Sequence, residues 1–335
     1  MIEKVEKKRL AILRVLSEAV RPLTGARITE ELAVTGLDVS ERTVRFYLQE
    51  TDQAGLTANR GKRGRIITDL GRRELAASRV FEKVGFLSSK IDTMTYLMDF
   101  DLTTRSGTVV VNMTVVDPDQ LLEAAPMICR VFEEGYAMGR LVTLFASGER
   151  VGEVKVPPGK IGVGTVCSIT LNGVLLQYSI PTTSRFGGLL EVADKKPVRF
   201  VEIINYDGTS IDPLEVFIRS GMTDYRGAVT TGAGKIGASF REFPGASREL
   251  VQELAGRLEQ VGLGGFMRIG GRGQPLLEIP VNEGRVGAIV IGGLNPVAII
   301  EETGHRVFSR ALAGLVDFER LFPFEQLPDR IRDLA

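Results

Sequence analysis

Histidine and cysteine are almost missing from this chain. Its 335 residues include one histidine, His305, and two cysteines, Cys129 and Cys167. One imidazole and two distant thiols leave few ways to build a histidine-based triad or a zinc site. The cysteines have neither metal-ligand spacing nor a partner motif, so both read as buried thiols in a reducing cytoplasm. No apolar run reaches the ~18 residues that a membrane-spanning helix needs. The first residues, Met1-Ile2-Glu3-Lys4-Val5-Glu6-Lys7-Lys8-Arg9, are charged and lack the apolar core of a secretory signal. Nucleophile–base pairs and paired carboxylates at a convincing spacing are also lacking. Nothing in the sequence asks for an enzyme, and no metal or resident cofactor is expected.

What is present is the composition of a soluble globular protein, 44% hydrophobic and 25% charged, long enough for two or three domains. Formal net charge is zero, yet unevenly spread. Residues 1–80 hold 16 Lys+Arg against 11 Asp+Glu, which leaves 26 against 31 for the remainder. A basic small module joined to an acidic large one is the asymmetry of a DNA reader attached to a body that is not one.

The basic module centres on residues 40–65. Ser40 is a good helix N-cap, and Glu41 follows at the positive end of the helix dipole. Val44, Tyr47 and Leu48 fall at i, i+3 and i+4 and form an apolar face. Arg42, Thr43, Arg45 and Gln49 are left on the outward side. Gly55 ends the helix, and Leu56-Thr57 and Ile66-Ile67 read as two short strands. Between them runs Arg60-Gly61-Lys62-Arg63-Gly64-Arg65, with four cations and two glycines. A helix offering Arg42, Thr43 and Arg45 to base edges, followed by a wing whose Arg60, Lys62, Arg63 and Arg65 meet phosphates, suits a DNA major groove. Residues 3–20 and 24–35 predict the two preceding helices, broken at Pro22 and stopped at Gly36. A fourth helix runs from Thr68 to about Gly85. The sum is a winged helix-turn-helix over residues 1–84.

The remainder, residues 85–335, forms a second, larger domain. Its first stretch, residues 86–106, shows a short apolar segment of undecided form. Beyond it lies an internal repeat, residues 107–181 and 234–304. Each copy opens with a glycine and a strand, Gly107 or Gly234. Each continues into a helix, Asp119 to Glu134 or Ser247 to Val261, stopped at Gly135 or Gly262. Each then meanders through further strands: one reaching Pro157 or Pro280, one beginning at Lys160 or Arg285, and an apolar run after Asn172-Gly173 or Asn295-Pro296. The predicted class is α+β: a winged helix-turn-helix followed by a mixed α/β domain of two pseudo-symmetric halves. In the joining segment, Asp212 is placed to cap a helix with Pro213 at its first position.

Thr182-Thr183-Ser184-Arg185-Phe186-Gly187-Gly188 gathers three hydroxyls, a guanidinium and two glycines. Such a loop suits a small acid, because arginine grips a carboxylate through paired hydrogen bonds and glycine lets amides approach. A structural turn with Arg185 paired to Glu191 or Glu202 is the other reading. Lys160 and Arg285, repeated beside glycines, could face the same cleft or lie on the surface. Gly232-Ala233-Gly234-Lys235 lacks the spacing and the Ser/Thr of a phosphate loop. Gly270-Gly271-Arg272-Gly273 and Gly292-Gly293 read as turns, and His305 as a structural residue at a helix start.

Several motifs in order then carry a resemblance. They are Ser184-Arg185-Phe186-Gly187-Gly188-Leu189, the stretch from Glu202 to Ser210, Asp212-Pro213-Leu214-Glu215-Val216-Phe217-Ile218, the stretch from Gly234 to Glu242, and Gly292-Gly293-Leu294-Asn295-Pro296. With the winged helix ahead of them, they resemble the NrpR family of nitrogen-assimilation repressors over nearly the whole chain. The resemblance implies a homodimer or higher homo-oligomer on a palindromic double-stranded DNA operator, released by 2-oxoglutarate. It also implies, for some members, a PII-like signal protein as partner. The rival expectation is a metabolic enzyme acting on small acids with an accessory winged helix.

Overall fold

Three helices open the chain: α1 (Ile2–Glu18), α2 (Gly25–Val34) and α3 (Glu41–Gln53). The computed structural model describes residues 2–19, 21–34, 37, 39–82 and 86–334. Val20, Thr35, Gly36, Asp38 and Gly85, which the sequence places at helix ends and in the turn before α3, lie outside the described residues. Ser40 caps α3 by accepting from the Thr43 amide, and Val44, Tyr47, Leu48 and Thr51 form its buried face. They pack on Ile12, Leu13 and Leu16 of α1 and on Ile28 and Leu32 of α2. β1 (Thr57–Asn59) and β2 (Arg65–Ile67) pair antiparallel as the wing, and α4 (Asp69–Glu82) follows. Leu23 and Arg65 exchange backbone hydrogen bonds at 3.0 and 2.8 Å, which pins the wing's return strand to the turn before α2. The close pass requires glycine at 64: φ is 105°, and a Cβ there would lie 2.1 Å from the Leu23 carbonyl oxygen.

Contacts divide the chain into two units, Met1–Val84 and Gly85–Ala335. The second begins with α5 (Phe86–Leu97), so the apolar segment is a helix that buries Leu87 and Ile91. The first repeat supplies β3 (Thr108–Val116), α6 (Pro118–Glu133), β4 (Leu141–Phe145), the small hairpin β5 (Arg150–Val151) and β6 (Val154–Lys155), β7 (Ile161–Val166) and α7 (Ile169–Gln177). The joining segment supplies β8 (Thr183–Ala193), β9 (Lys196–Asn205), α8 (Pro213–Arg219) and α9 (Tyr225–Thr231). The second repeat supplies β10 (Gly234–Pro244), α10 (Arg248–Gln260), β11 (Phe266–Arg272), β12 (Arg285–Ile291) and α11 (Asn295–Glu302). β13 (Phe308–Asp317), β14 (Phe322–Pro323) and α12 (Leu327–Leu334) close the chain.

Two five-stranded sheets result, ordered β13-β3-β7-β4-β14 and β11-β12-β10-β8-β9. The triplets β3-β7-β4 and β10-β12-β11 are equivalent, with antiparallel pairs throughout. The strand that follows each repeat leaves it: β8 comes after α7 but pairs with β10, and β13 comes after α11 but pairs with β3. Each half thus completes its sheet with a strand from the other, and one continuous hydrophobic core runs through both.

Several expectations are corrected here. The apolar runs after Asn172 and Asn295 are helices, not strands of a meander. The stretch reaching Pro280 holds only a tight turn in which Leu276 and Ile279 exchange hydrogen bonds. The counterpart of Asn295 is Thr170 rather than Asn172. Thr170 Oγ1 bonds the backbone of Val110, as Asn295 Nδ2 bonds the carbonyl of Gly237. Gly270 to Arg272 lie in β11 and not in a turn. His305 lies between α11 and β13 rather than at a helix start, 3.7 Å from Glu123.

Candidate nucleic-acid interface and small-molecule site

The outward face of α3 carries Arg42, Arg45, Phe46, Gln49 and Glu50, all exposed. Thr43 is half-buried and shares a hydroxyl hydrogen bond with Ser40 at 2.9 Å, so it serves the cap as well as the surface. Arg45 pairs with Glu41 at 2.7 Å across one helical turn. An exposed pair of this kind contributes only ~0.3–0.5 kcal/mol, little against a base or phosphate contact. Phe46, 57% exposed, went unremarked in the sequence because it lies outside the i, i+3, i+4 set. An exposed aromatic beside Arg42 is a surface for a thymine methyl.

The four wing cations part company. Arg60, Lys62 and Arg63 are exposed around the tight turn Gly61–Arg63. Arg65 turns back: its Nε donates to Asp52 at 2.8 Å, with both side chains about three-quarters buried. Asp52 also accepts from the Thr57 hydroxyl at 2.5 Å. The end of α3 therefore holds both wing strands, and Arg65 sets the wing's angle instead of facing outward.

The cations set aside for an acid are likewise only partly gathered. Arg185 Nη1 donates to Glu242 at 2.7 Å, and Arg285 Nε lies 3.3 Å from the same carboxylate, which is fully buried. Arg285 also donates to the Thr183 hydroxyl at 3.0 Å. This stretch is strand β8 rather than a loop or turn, and neither Glu191 nor Glu202 is the partner of Arg185 among the described contacts. The anion between the two arginines is the protein's own. Lys160 lies just before β7 of the other sheet, its Nζ 2.6 Å from Asp117. Thr182 donates to the Ile180 carbonyl at 3.5 Å, and Ser184 accepts from Asn172 at 3.1 Å. Gly187 and Gly188 make room for side chains: a Cβ on them would meet Pro213 at 2.7 Å and Phe200 at 2.6 Å.

A different polar site lies where the halves meet. It is a small, partly open cavity of about 20 Å³, lined by groups that include Asn112, Ser168, Tyr206, Asp212, Ser239 and Gly293. The strand registers make Asn112 and Ser239 equivalent positions, opposite Thr165 and Val290. Ser168 and Gly293 are likewise equivalent, each following a residue whose amide bonds the neighbouring strand, Cys167 to Val110 and Gly292 to Gly237. The cavity thus occupies the pseudo-symmetric junction of the repeats. Behind Ser168 is Arg241, the largest fully buried side chain. It donates to the Ser168 carbonyl at 2.7 Å, to Ser168 Oγ at 2.6 Å and to Asn172 Oδ1, while its Nε has no partner. No carboxylate pairs with it among the described residues. The sequence hinted at this only by placing a charge inside an otherwise apolar strand.

Asp212 caps α8 through the Leu214 amide at 2.9 Å. Burial, and then the nearby Glu215, push its carboxyl up to about 7. A carboxyl raised in the folded state supports folding at low pH and withdraws that support as pH climbs from the ordinary carboxylate range through 7. Asparagine can still accept from the Leu214 amide. Asp212→Asn should therefore gain stability relative to the wild type as pH rises from about 5 to 8, read from denaturant midpoints; parallel curves for the two proteins would contradict it.

Comparison with known proteins places these features in a family. Residues 84–323 match the model for NrpR regulatory domains NRD1 and 2, and residues 10–75 match a ribonuclease R winged-helix domain. The global nitrogen regulator NrpRI of Methanosarcina mazei is 35% identical over 321 residues, covering 96% of this chain and 99% of that protein. The global nitrogen regulator NrpR of Methanococcus maripaludis is 31% identical over 92% of this chain, which corresponds to 54% of that longer protein. A crystal structure of a nitrogen repressor-like protein from Methanococcus jannaschii aligns with TM-score 0.60 at 28% identity, over 70% of this chain and 97% of that one. A winged helix joined to a strand-exchanged pair of repeats, with these matches over both parts, means that the chain belongs to the NrpR family of global nitrogen regulators.

Proposed function

We propose that this protein is a transcriptional repressor of nitrogen-assimilation genes that binds a palindromic operator as a homo-oligomer and is released by 2-oxoglutarate. The observation that carries the DNA half of this reading is the exposed face of α3, with Arg42, Arg45 and Phe46, beside the three outward wing cations. Arg42 makes no side-chain hydrogen bond among the described residues, so its guanidinium is available to a base edge without breaking anything. The second unit supplies the response, and two copies of the chain set the spacing of two half-sites. The protein works in the cytoplasm and performs no catalysis.

The test is an operator selected from a randomised duplex pool, followed by anisotropy titrations with and without 2-oxoglutarate. A selected site bound well above random competitor, and released by the acid, supports the reading. No preference for any duplex overturns it. Consumption of the acid during the titration would favour the enzyme instead. Arg42→Ala should relax selection at one operator position by about 1–3 kcal/mol while leaving the others unchanged; uniform weakening across sequences would move Arg42 to the phosphates.

A further inference from the structure

We infer that the outer edge of β9 is where two copies of this chain join, antiparallel across a two-fold axis, so that the sheet of one continues into the sheet of the other. This rests on the homo-oligomer of the proposed function and names its surface. Two features of β9 carry it: what the strand leaves in water, and how its charges are placed.

β9 is the last strand of its sheet, beyond β8. None of its ten residues is buried. Yet the strand holds Val198, Phe200, Val201, Ile203 and Ile204, with Val198 45% and Ile203 49% exposed. An edge strand offers a row of unpaired N–H and C=O groups, and a long apolar edge associates unless something blunts it. The other outer strands are covered or shorter. β13, equally long, has α5 and β5 packed on it. β11 and β14 hold seven and two residues. On β9, Lys196 and Pro197 guard only the start, and two register breaks leave its apolar residues in water.

Those breaks make the edge self-complementary. Leu189 faces Glu202, Leu190 faces Phe200 and Glu191 faces Arg199, which leaves Val201 as an extra residue. Directly opposed residues point to the same side of a sheet. Leu189 and Glu191 share a side, so Glu202 and Arg199 share one too. Three residues apart on an unbroken strand, they would lie on opposite sides. The second extra residue, Val198, brings Pro197 opposite Val192, on the side of Phe200 and Ile203. A two-fold axis through Phe200, perpendicular to the sheet, then pairs the strand with its own copy, as an isologous interface requires. On one side Arg199 meets the partner's Glu202, and Glu202 meets the partner's Arg199. On the other side Phe200 meets the partner's Phe200, and Ile203 meets the partner's Pro197. Lys196 falls beside the partner's Ile204, which its aliphatic stem covers. Arg199 is already held in place, its Nε donating to Glu191 at 2.7 Å. Glu202 makes no side-chain hydrogen bond or ion pair among the described residues, so its charge is open to a partner.

The experiment is sedimentation velocity on the full chain over a range of concentrations, with anisotropy on the selected operator. The wild type should sediment as a dimer. Ile203→Asp, at an exposed position, should raise the dimer dissociation constant at least about a hundredfold. Arg199→Glu and Glu202→Arg each set like charges together twice and should do the same. An equimolar mixture of those two variants should dimerise again, because each then meets an opposite charge. Recovery in the mixture separates a lost interface from a damaged fold. Dissociation of the variants without recovery overturns the two-fold pairing. A dimer that all three changes leave intact overturns the inference while the proposed function stands. A wild type that binds the selected operator as a monomer overturns the inference together with the homo-oligomer. No preference for any duplex, with the dimer behaving as described, overturns the proposed function alone.

Discussion

Replacing Arg60, Lys62 and Arg63 together by alanine should cut affinity for every duplex, selected or random, by ~2–3 orders of magnitude at about 0.1 M salt. Each phosphate contact contributes about 0.9 to the slope of log affinity against log salt. Three lost contacts therefore flatten the slope by up to about 2.7, and the affinity lost follows from extrapolating to 1 M. The triple change leaves folding alone, because all three side chains are exposed. Arg65→Ala is a different experiment. It removes the partner of the largely buried Asp52 and loosens the wing from α3, so the winged-helix unit should lose stability before the salt slope changes. An unchanged slope in the triple variant would take the wing out of the interface.

The contrast between Arg65 and its three neighbours shows where sequence reading stopped. Helix α3 is local: its cap spans three residues and its apolar face repeats within two turns, so both were legible. The partner of Arg65 is 13 residues away, and no local pattern carries it. The same holds on a larger scale. Helices α6 and α10 were legible because each has one buried face, and strands β3 and β10, buried on both faces, because each opens at a glycine and leads directly into one of those helices. Helix α7 was not, because every residue from Ile169 to Leu175 is buried and no period distinguishes a helix buried all round from a strand. The strand exchange was invisible for a further reason. Thr114 and Ser309, hydrogen-bonded across β3 and β13, are 195 residues apart. A repeat in sequence reveals that two halves exist, not which half keeps which strand.

Glu242 carries the other large effect. Its carboxylate is fully buried and answers two arginines, Arg185 at 2.7 Å and Arg285 at 3.3 Å, as well as the Asn282 side-chain amide at 2.8 Å. Glu242→Ala leaves both guanidinium groups without their carboxylate, a change that costs ~3–5 kcal/mol when the partner is buried. The side chains of Arg185 and Arg285 remain 32% and 26% exposed, so water relieves part of this and the lower end of that range is the better expectation. For a unit of this size that is roughly 6–12 °C in melting temperature. Arg185→Ala should cost less, because Arg285 and Asn282 still satisfy the carboxylate. That ordering, Glu242→Ala well above Arg185→Ala in denaturant unfolding, follows from a central acid serving two bases. An equal cost for the two changes would mean that Arg285 contributes nothing to the cluster. The sequence marked these arginines for a ligand's carboxylate; the fold supplies one from the protein, whereas the buried Arg241 has no carboxylate partner among the described residues.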